Sequence, residues 1–499
     1  MNVATILELV ADSIGERVAV GSAHNGMTYA ELLDRSRRVA AFLGQRGAEH
    51  LITADVNSEA IAVALFGAAG AGVPLVPVNY RLADAPLRAV IERAGPGLAM
   101  VEASIPTRLG NPPEGIEFIG RAELLGARHD AGWPRASVDA DDVAVLLFTS
   151  GTTGEPKAAV LRHRHLVGYV LGGVEFLGAG PEEAVLVSVP PYHIAGIAAV
   201  LSASWSGRRI VYLPQFDPVA WVTAARDEKI THAMVVPTML GRILDVIAVD
   251  GELLPTLTHL SYGGGRMPLP VIERAMTLLP GVGFVNAYGL TETSSTITVL
   301  TPEDHRAAFA SDDPGTRARL GSVGRPLPGL EVVVRDPFGD ALPPGESGEV
   351  WVRGDQVSGE YLGQGPTATV EGWFPTSDGG HLDADGFLFV EGRLDDVIVR
   401  GGENMSPTEI EDALLAHPAV AEAAVIGVPD DEWGETVEAF VVLTAGADAT
   451  EADLRQWVRA RLRSTRRPAR IHFRTELPYS ETGKLLRRVL RSELVSNRR

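Results

Sequence analysis

The chain has 499 residues, a formal net charge of −20 and no cysteine. A single hydrophobic core stops growing well below this length, so two or more domains are expected, and the excess of acidic residues disfavours a protein that binds nucleic acid or anionic membranes over its whole surface. The lack of cysteine excludes disulfides, a thiolate nucleophile and cysteine-bound metal.

The amino-terminal segment does not read as an export signal, and the next apolar segment does not read as a membrane span. Residues 1–12 lack a basic start and carry acidic residues within the apolar stretch, so we expect a cytoplasmic location. Residues 61–78 carry no charge and are long enough for a short membrane-spanning helix. The glycines and prolines within this segment would break such a helix. We predict instead a buried helix that ends at Gly72, followed by a short strand over residues 73–78.

Helical patterns alternate with short apolar runs through most of the first 390 residues. The predicted elements are a helix over residues 29–47 and strands over residues 143–148, 185–189, 210–213 and 233–236. This alternation favours an α/β fold with buried sheets. At about residues 321–392 the pattern changes to short strands with turn residues, over residues 330–335, 348–352 and 386–390. We therefore predict one large N-terminal domain, residues 1–394, of layered α/β subdomains plus a β-rich subdomain.

Residues 395–499 form a second pattern that predicts a small, mobile α+β domain acting as a lid. Its predicted elements are helices over residues 407–416 and 450–462 and strands over residues 421–428 and 439–443. No long spacer precedes it, so we expect a compact hinge. From residue 461 to the end the charge is strongly positive, and two interpretations stay open: a solvated face, or a docking surface for an anionic co-substrate.

Lysine is rare in this chain and its positions are informative. Three of the 44 basic residues are lysine, namely Lys157, Lys229 and Lys484, and the others are arginine. Lys157 and Lys484 both follow glycine and threonine, where a compact ammonium can reach phosphate oxygens that a planar guanidinium would crowd. The alternative is that lysine stands near glycine by chance; the two sites together favour nucleotide chemistry.

Two motifs carry that chemistry further. Residues 149–157 read TSGTTGEPK after an apolar strand, and their hydroxyls and glycine-exposed backbone N–H groups suit a polyphosphate. The spacing is not that of a Walker A loop, which removes the main support for a P-loop ATPase. Residues 286–293 read NAYGLTET and bring together an aromatic ring, a hydroxyl and a carboxylate suited to Mg²⁺.

At these residues the chain resembles the adenylate-forming superfamily, which includes acyl-CoA synthetases, aryl-CoA ligases, adenylation domains and firefly-type luciferases. Seven motifs stand in the family's order over essentially the whole chain, at residues 149–157, 191–196, 288–292, 376–378, 392–396, 401–404 and 483–484. The resemblance implies two half-reactions. A carboxylate attacks the ATP α-phosphate to give acyl-AMP and pyrophosphate, and a thiol then displaces AMP.

The resemblance also implies roles for individual residues. The ATP and AMP contacts are expected from Thr149, Ser150, Gly151, Thr152, Thr153, Gly154, Lys157, Gly264, Gly265, Asn286, Ala287, Tyr288, Gly289, Asp378 and Arg393. Within this set Tyr288 would stack on adenine, and Asp378 and Arg393 would hold the ribose. Thr291 would contact the α-phosphate, and Glu292 would bind Mg²⁺. Lys484 would bridge the carboxylate and α-phosphate oxygens during adenylation.

The resemblance places the moving parts in the second domain. Asp395 would be the hinge, and Gly401 and Gly402 would line the tunnel for the thiol arm, since glycine lets a narrow arm pass close to backbone. His193 has two interpretations. A lone histidine among apolar residues is often a core group, but the family places an aromatic or histidine here as a gate to the acyl pocket, and we adopt the gate.

Departures from the family pattern bear on the substrate. Ser377 stands where glycine is usual, and Arg266 stands where a less charged residue is common. Residues 191–196 lack the aspartate that amino-acid-activating relatives use, so we expect a fatty, alicyclic or aryl acid without an α-amino group. The expected acceptor is CoA, with ATP and Mg²⁺ as the other cofactors.

Several alternatives stay open. An acyl carrier protein is the second candidate acceptor, and a homodimer is a further open partner. A nucleotide-binding regulator without catalysis is a remote alternative, because Glu292 and Lys484 are both present. No nucleic-acid partner is expected. Acyl chain length, ring preference and pathway are not readable from the sequence.

Overall fold

A computed structural model describes residues 1–128, 138–149, 157–251, 254–364, 367, 371–401, 403–430, 432–479 and 485–497. The α-helices in this part of the chain are α1 Val3–Ile14, α2 Tyr29–Arg46, α3 Glu59–Ala71, α4 Asp84–Ala94, α5 Ile105–Leu109, α6 Arg121–Leu125, α7 His163–Gly173, α8 Ile194–Ser206, α9 Pro218–Asp227, α10 Pro237–Asp250, α11 Leu269–Leu278, α12 Pro302–Ala310, α13 Pro314–Ala318, α14 Pro407–Leu415, α15 Glu451–Arg459 and α16 Arg487–Asn497. Short 3₁₀ helices span Thr291–Thr293, Arg319–Gly321, Leu394–Asp396 and Ser464–Arg466.

The strands form four sheets. In chain order they are β1 Val18–Val20, β2 Met27–Thr28, β3 Leu51–Ala54, β4 Leu75–Pro77, β5 Gly97–Val101, β6 Ile116–Ile119, β7 Val143–Thr149, β8 Lys157–Arg162, β9 Ala184–Val187, β10 Arg209–Tyr212, β11 His232–Val235, β12 His259–Gly263, β13 Gly283–Leu290, β14 Ser295–Leu300, β15 Arg325–Pro326, β16 Glu331–Arg335, β17 Gly348–Arg353, β18 Phe374–Leu382, β19 Leu388–Arg393, β20 Ile398–Arg400, β21 Glu403–Met405, β22 Val420–Asp430, β23 Gly434–Leu443 and β24 Arg470–Arg474.

Two large sheets build most of the N-terminal domain. One has nine strands in the order β15-β14-β13-β12-β11-β9-β10-β1-β2, and the other has six in the order β6-β5-β3-β4-β7-β8. Helices α1, α2, α3 and α8 contribute to a shared hydrophobic core that also takes side chains from both sheets. The alternation of helix and apolar strand in the sequence therefore does produce layered α/β subdomains with buried sheets.

The uncharged segment 61–78 is a core element. Helix α3 is buried along nearly its whole length, Gly72 follows it with a φ of 68°, and β4 comes next in the middle of the six-stranded sheet. This confirms the prediction of a buried helix followed by a strand. Within the described residues, no helix is both long and apolar enough to cross a membrane.

The third sheet is antiparallel and has the order β16-β17-β18-β19. Its strands confirm the short β elements predicted between residues 330 and 390, and the last of them ends at Arg393. The 3₁₀ turn Leu394–Asp396 follows immediately. Two of the family motifs, at residues 376–378 and 392–396, thus lie on adjacent strands or directly after them.

The small C-terminal domain is built on the fourth sheet, in which β21, β20, β23 and β22 follow in order and β24 pairs with β23. Alternate residues of β22 point to opposite faces: Val425 packs against α14 and α15, whereas Ile426 packs against α16. Helix α14 and strands β22 and β23 confirm the predicted elements, with boundaries shifted by a few residues.

Candidate active site

The wall of the site is formed where two parallel strands end. Strands β12 and β13 pair with Gly263 beside Ala287, and a Cβ on Gly263 would lie 2.3 Å from the Ala287 carbonyl oxygen, so only glycine allows this approach. Gly264 follows with a φ of 75°. Asn286 donates from Nδ2 to the Ser322 carbonyl at 3.0 Å. The predicted ATP and AMP contacts at residues 264–265 and 286–289 therefore lie next to each other. We call residues 263–265 and 286–289 together the adenine wall.

Tyr288 belongs to a hydrogen-bonded group with an acid and a base. Its hydroxyl donates to Asp378 Oδ2 at 2.6 Å, and Arg393 Nη1 donates to Asp378 Oδ1 at 3.0 Å and to the Thr376 carbonyl at 2.7 Å. Burial and the adjacent Asp378 charge raise the pKa of Tyr288 well above its usual value. Burial opposes the charged form of Arg393, but the attraction of Asp378 outweighs it and keeps the pKa of Arg393 high. This group therefore keeps a neutral phenol beside an ion pair.

Strand register explains why these three residues meet. Strands β18 and β19 are antiparallel with Asp378 directly opposite Arg393. Tyr288 packs its ring against the apolar face of the same sheet, beside Val352 and Val334. The residue before Asp378 is Ser377, and its φ is 59°, which is the left-handed region that favours glycine.

A second group joins the predicted metal ligand to the phosphate-loop lysine. Thr291 and Glu292 lie in the 3₁₀ turn after β13, and the Tyr361 hydroxyl donates to Glu292 Oε1 at 2.5 Å. The Lys157 ammonium lies over the Tyr361 ring, 5.5 Å from its centroid. Burial, then the charge and hydrogen bond of Glu292, raise the pKa of Tyr361. One aromatic ring thus separates a carboxylate from an ammonium.

Sequence reasoning missed Tyr361, because its place depends on a connection between distant segments. The backbone of Val160 donates to Glu360 at 2.9 Å and that of Leu362 donates to Ala158 at 2.9 Å, which adds this segment to the edge of β8. On its other side, Ser358 donates to the Glu292 carbonyl at 2.8 Å. A tyrosine between two glycine-rich stretches gave no sign of these pairings.

Seven predicted site residues lie outside the described residues: Ser150, Gly151, Thr152, Thr153, Gly154, Gly402 and Lys484. Their flanking residues are described. Thr149 pairs with Lys157 at the end of the β7–β8 hairpin, and its hydroxyl donates to the Lys157 carbonyl at 3.4 Å. Tyr479 pairs with Leu485 in an antiparallel bridge.

His193 lies at the start of α8 and next to the Tyr192 ring, with 4.8 Å between the ring centroids. Burial lowers the pKa of His193 to about 4, so the imidazole is neutral at pH 7. Pro190 and Pro191, just before it, line a cavity of about 440 Å³ that Tyr479 of the C-terminal domain also lines. His193 is therefore a neutral ring close to the cleft between the domains.

Two buried polar atoms belong to residues that line the same cavity. Among the described residues, neither Asn57 Oδ1 nor Ser188 Oγ has a hydrogen-bond partner, although both side chains are about 97 % buried. Such atoms are costly to leave unpaired. Within the described part of the chain, these two oxygens are therefore unpaired polar atoms behind the surface of the cavity.

The predicted hinge and tunnel residues follow the third sheet. Asp395 is exposed in the 3₁₀ turn Leu394–Asp396. Gly401 has a φ of 59° and donates to the Trp433 carbonyl at 2.8 Å, and a Cβ on it would lie 3.0 Å from the Trp433 ring. Any side chain larger than that of glycine at position 401 would therefore push against the Trp433 indole ring.

Comparison with known sequences now adds to this geometry. A model of the AMP-binding enzyme family matches residues 7–362, and a model of the AMP-binding enzyme C-terminal domain matches residues 409–484. The chain belongs to the AMP-binding enzyme family. Family membership confirms the resemblance to adenylate-forming enzymes, and the family comprises AMP-forming ligases.

Similar proteins cover this AMP-binding enzyme almost end to end. A fatty acid–[acyl-carrier-protein] ligase, ScoC, of Streptomyces coeruleorubidus is 34% identical over 93% of this chain and 91% of its own length. A feruloyl-CoA synthase of an Amycolatopsis species is 33% identical over 94% of each chain. A 2-succinylbenzoate–CoA ligase of Geobacillus kaustophilus is 34% identical over 95% of each.

Solved structures agree with the fold of this AMP-binding enzyme. The o-succinylbenzoate CoA synthetase of Bacillus subtilis, in complex with its acyl-adenylate intermediate, has a TM-score of 0.83 and 28% identity over 97% of each chain. ATP-bound MatB of Rhodopseudomonas palustris has a TM-score of 0.86 and 28% identity over 99% of each. The large N-terminal domain and smaller C-terminal domain are thus those of adenylate-forming enzymes.

Proposed function

We propose that this enzyme joins a carboxylic acid lacking an α-amino group to the thiol of CoA, with acyl-AMP as the intermediate. The observation that carries the proposal is the pair of groups around Tyr288 and Glu292, since one suits a nucleoside and the other a polyphosphate. Asp378 and Arg393 offer a carboxylate for ribose hydroxyls and a fixed cation beside it. Lys157 offers an ammonium for phosphate oxygens.

The first half-reaction forms the mixed anhydride. A carboxylate oxygen of the acid attacks the α-phosphorus of ATP, the bond from that phosphorus to the bridging oxygen breaks, and pyrophosphate leaves. We propose that Thr291 holds an α-phosphate oxygen and that residues 149–157 hold the β- and γ-phosphates. Lys484 would stabilise the charge that builds up on the transferring oxygens. The Lys484 role is supported by the family resemblance alone, since it lies outside the described residues.

Glu292 is suited to a magnesium ion. A single carboxylate beside a phosphate loop is a donor set that Mg²⁺ uses, because it completes its coordination with phosphate oxygens and water. The ion, when bound with ATP, would neutralise phosphate charge. The Tyr361 hydroxyl, 2.5 Å from Glu292 Oε1, would hold that carboxylate in place.

The second half-reaction transfers the acyl group. The thiol sulfur attacks the acyl carbon, the bond to the AMP oxygen breaks, and the thiol proton passes to solvent or phosphate as AMP leaves. We propose that the thiol arm approaches along Gly401 and Gly402 after the C-terminal domain has swung about Asp395. His193, kept neutral by burial, would gate this route without adding charge.

The acid is proposed to be fatty, alicyclic or aryl. Residues 191–196 contain no carboxylate to pair with a substrate ammonium. The relatives named above act, by their names, on a fatty acid, on ferulate and on 2-succinylbenzoate, all without an α-amino group.

A carrier protein is the second candidate acceptor. One relative is named as a fatty acid–[acyl-carrier-protein] ligase. In this chain the turn Ser464–Arg466 lies beside β20, because Arg400 donates to the Thr465 carbonyl at 2.8 Å, and Arg463 directly before the turn is 84 % exposed. An exposed arginine close to Gly401 suits either CoA phosphates or an acidic carrier protein. A cytoplasmic location and a homodimer stay predictions.

The test is pyrophosphate release from ATP and Mg²⁺ over a panel of fatty, alicyclic, aryl and amino acids, with CoA, with a phosphopantetheinylated carrier protein, and with neither. We expect release with one non-amino class and an increase with CoA. If only the carrier protein increases the release, the carrier protein and not CoA is the acceptor. Strongest release with an amino acid would overturn the substrate class, and no release with any acid would favour the regulator.

Lys484→Ala separates the two half-reactions. We expect adenylation to fall by about three orders of magnitude, because a charge that grows in the transition state loses its partner. Thioester formation from supplied acyl-AMP should be nearly unchanged. The measurement is single-turnover kinetics of each step, with Lys229→Ala, a lysine outside the motifs, as the matched control. An equal loss in both steps would contradict the assignment.

A further inference from the structure

An arginine that departs from the family pattern makes a contact between the two domains. Arg266 follows the glycine wall 263–265 directly, and its guanidinium meets the Asp412 carboxylate with two contacts, 2.5 and 2.6 Å long. Asp412 lies on α14, the first helix of the C-terminal domain. Both side chains are about half exposed. The contact is a two-pronged ion pair, which is the geometry that gives direction as well as attraction.

Other residues of the two domains also approach each other in this orientation of the C-terminal domain. The N-terminal Arg242 lies near Glu422 of the C-terminal sheet, where burial raises the pKa of Glu422 and both Tyr479 and Arg242 counter that rise. Tyr479 and Arg242 also line the cavity between the domains. The Arg266–Asp412 pair is thus a directional contact between the domains in addition to the hydrogen bond from Ser406 Oγ to the Glu391 carbonyl, which is 2.8 Å long and lies close to the Asp395 turn.

We propose that Arg266 and Asp412 are positioning residues that hold the C-terminal domain in the orientation required for adenylation. The pair ties the adenine wall to the helix that begins eleven residues after the Asp395 turn. A swing about that turn moves α14 and breaks the pair, so the pair stabilises this orientation over any other. The inference rests on the proposed function, in which Lys484 serves adenylation from this domain.

The expected effect is modest and specific. A half-exposed ion pair shifts an equilibrium by about five-fold or less, and its two-pronged geometry places this one near the upper end. Losing it lowers the ratio of the adenylation orientation to the other orientations by up to that factor. Adenylation then slows by a similar factor, whereas transfer from supplied acyl-AMP does not slow.

The experiment uses charge reversal and exchange in the full chain. The variants are Arg266→Glu, Asp412→Arg and the double exchange, with Asp448→Arg as a control that makes the same charge change in an exposed loop of the C-terminal domain. Because the chain has no cysteine, Val249→Cys and Ala460→Cys, both exposed, accept spin labels cleanly. Double electron–electron resonance then reports the distance between the domains, and single-turnover kinetics report each half-reaction.

We expect each single reversal to lower, by about five-fold, the ratio of molecules with the present inter-label distance to molecules with other distances. Of the two half-reactions, only adenylation should slow. The double exchange should restore both readouts, and Asp448→Arg should change neither. Unchanged distances in both single variants, or a double exchange that restores nothing, would overturn the proposal. If no acid supports pyrophosphate release in the unsubstituted enzyme, the proposed function fails, while a shift that the exchange restores still supports the pair as an orientation lock.

Discussion

Tyr361 makes the most informative side-chain contacts of the site, since its hydroxyl reaches Glu292 and its ring faces Lys157. Replacing it with phenylalanine keeps the ring and removes one hydrogen bond to a charged group, which is typically worth about 2 kcal/mol. We expect Tyr361→Phe to lower kcat/KM for pyrophosphate release by about thirty-fold and to raise the Mg²⁺ concentration at half-maximal rate. Steady-state kinetics over a magnesium series measure both.

A matched variant separates the hydroxyl from the ring. Tyr361→Leu loses the contact with Lys157 as well, so the KM for ATP should rise further than in Tyr361→Phe. Thioester formation from supplied acyl-AMP should be the same in both variants. A Tyr361→Phe enzyme with unaltered magnesium dependence would show that the hydroxyl does not hold Glu292.

Ser377 holds a backbone conformation that a side chain resists. Its φ of 59° costs about 1 kcal/mol for a residue other than glycine, and the side chain is exposed. We expect Ser377→Gly to raise the free energy of unfolding by several tenths to about 1 kcal/mol, because relief of the strain exceeds the added freedom of the unfolded chain. Urea unfolding measures this, and Ser377→Ala, which keeps the Cβ, should give no such gain.

At the scale of elements, the adenine wall depends on the close approach of β12 and β13 at Gly263 and Ala287. A Cβ at Gly263 would meet backbone that cannot give way, at 2.3 Å from the Ala287 oxygen. We expect Gly263→Ala to destabilise the protein by about 2 kcal/mol or more and to raise the KM for ATP, since the strands must separate. Unfolding and ATP kinetics test this together.

Gly44 provides the control for that change. It lies inside α2, and a Cβ there would meet nothing within 4 Å. Gly44→Ala should therefore stabilise the helix by about 0.5–1 kcal/mol and leave ATP kinetics unaltered. Similar losses in both variants would show that the strand contact is not the cause.

At the scale of the whole molecule, buried histidines link stability to pH. Burial lowers the pKa of each of them to about 4, against about 6.5 in the unfolded chain: His163, His165, His193, His232 and His305. The unfolded state therefore binds more protons between these values. Stability contributed by these rings is complete above pH 6.5 and is lost as the pH falls towards 4.

The corresponding measurement is the urea midpoint between pH 7.5 and 4.5. We expect a steady fall below pH 6.5, and His163→Gln, which replaces a fully buried ring with a neutral side chain, should flatten part of it. His24→Gln, at an exposed turn, is the matched control and should keep the full slope. A midpoint independent of pH above 4.5 would contradict the linkage.

The assignment of the site residues rests on the resemblance to adenylate-forming enzymes and stays a prediction. From the sequence alone follow the α/β class, the buried helix α3 and the β-rich third sheet. These have local causes, namely the hydrophobic period and the glycine and proline at turns. The resemblance places Asp378 and Arg393 in one site, whereas their direct pairing follows from the register of β18 and β19, in which Asp378 lies in the middle of β18 and Arg393 ends β19.

Only the tertiary structure decided which distant residues meet. Tyr361 reaches Glu292 because a loop adds to the edge of β8, and Arg266 meets Asp412 because α14 packs beside the adenine wall. Neither contact has a local signature, since each depends on backbone pairing or domain orientation across many residues. The motifs are therefore visible along the chain, whereas the contacts of Tyr361 and Arg266 depend on how the sheets and domains pack.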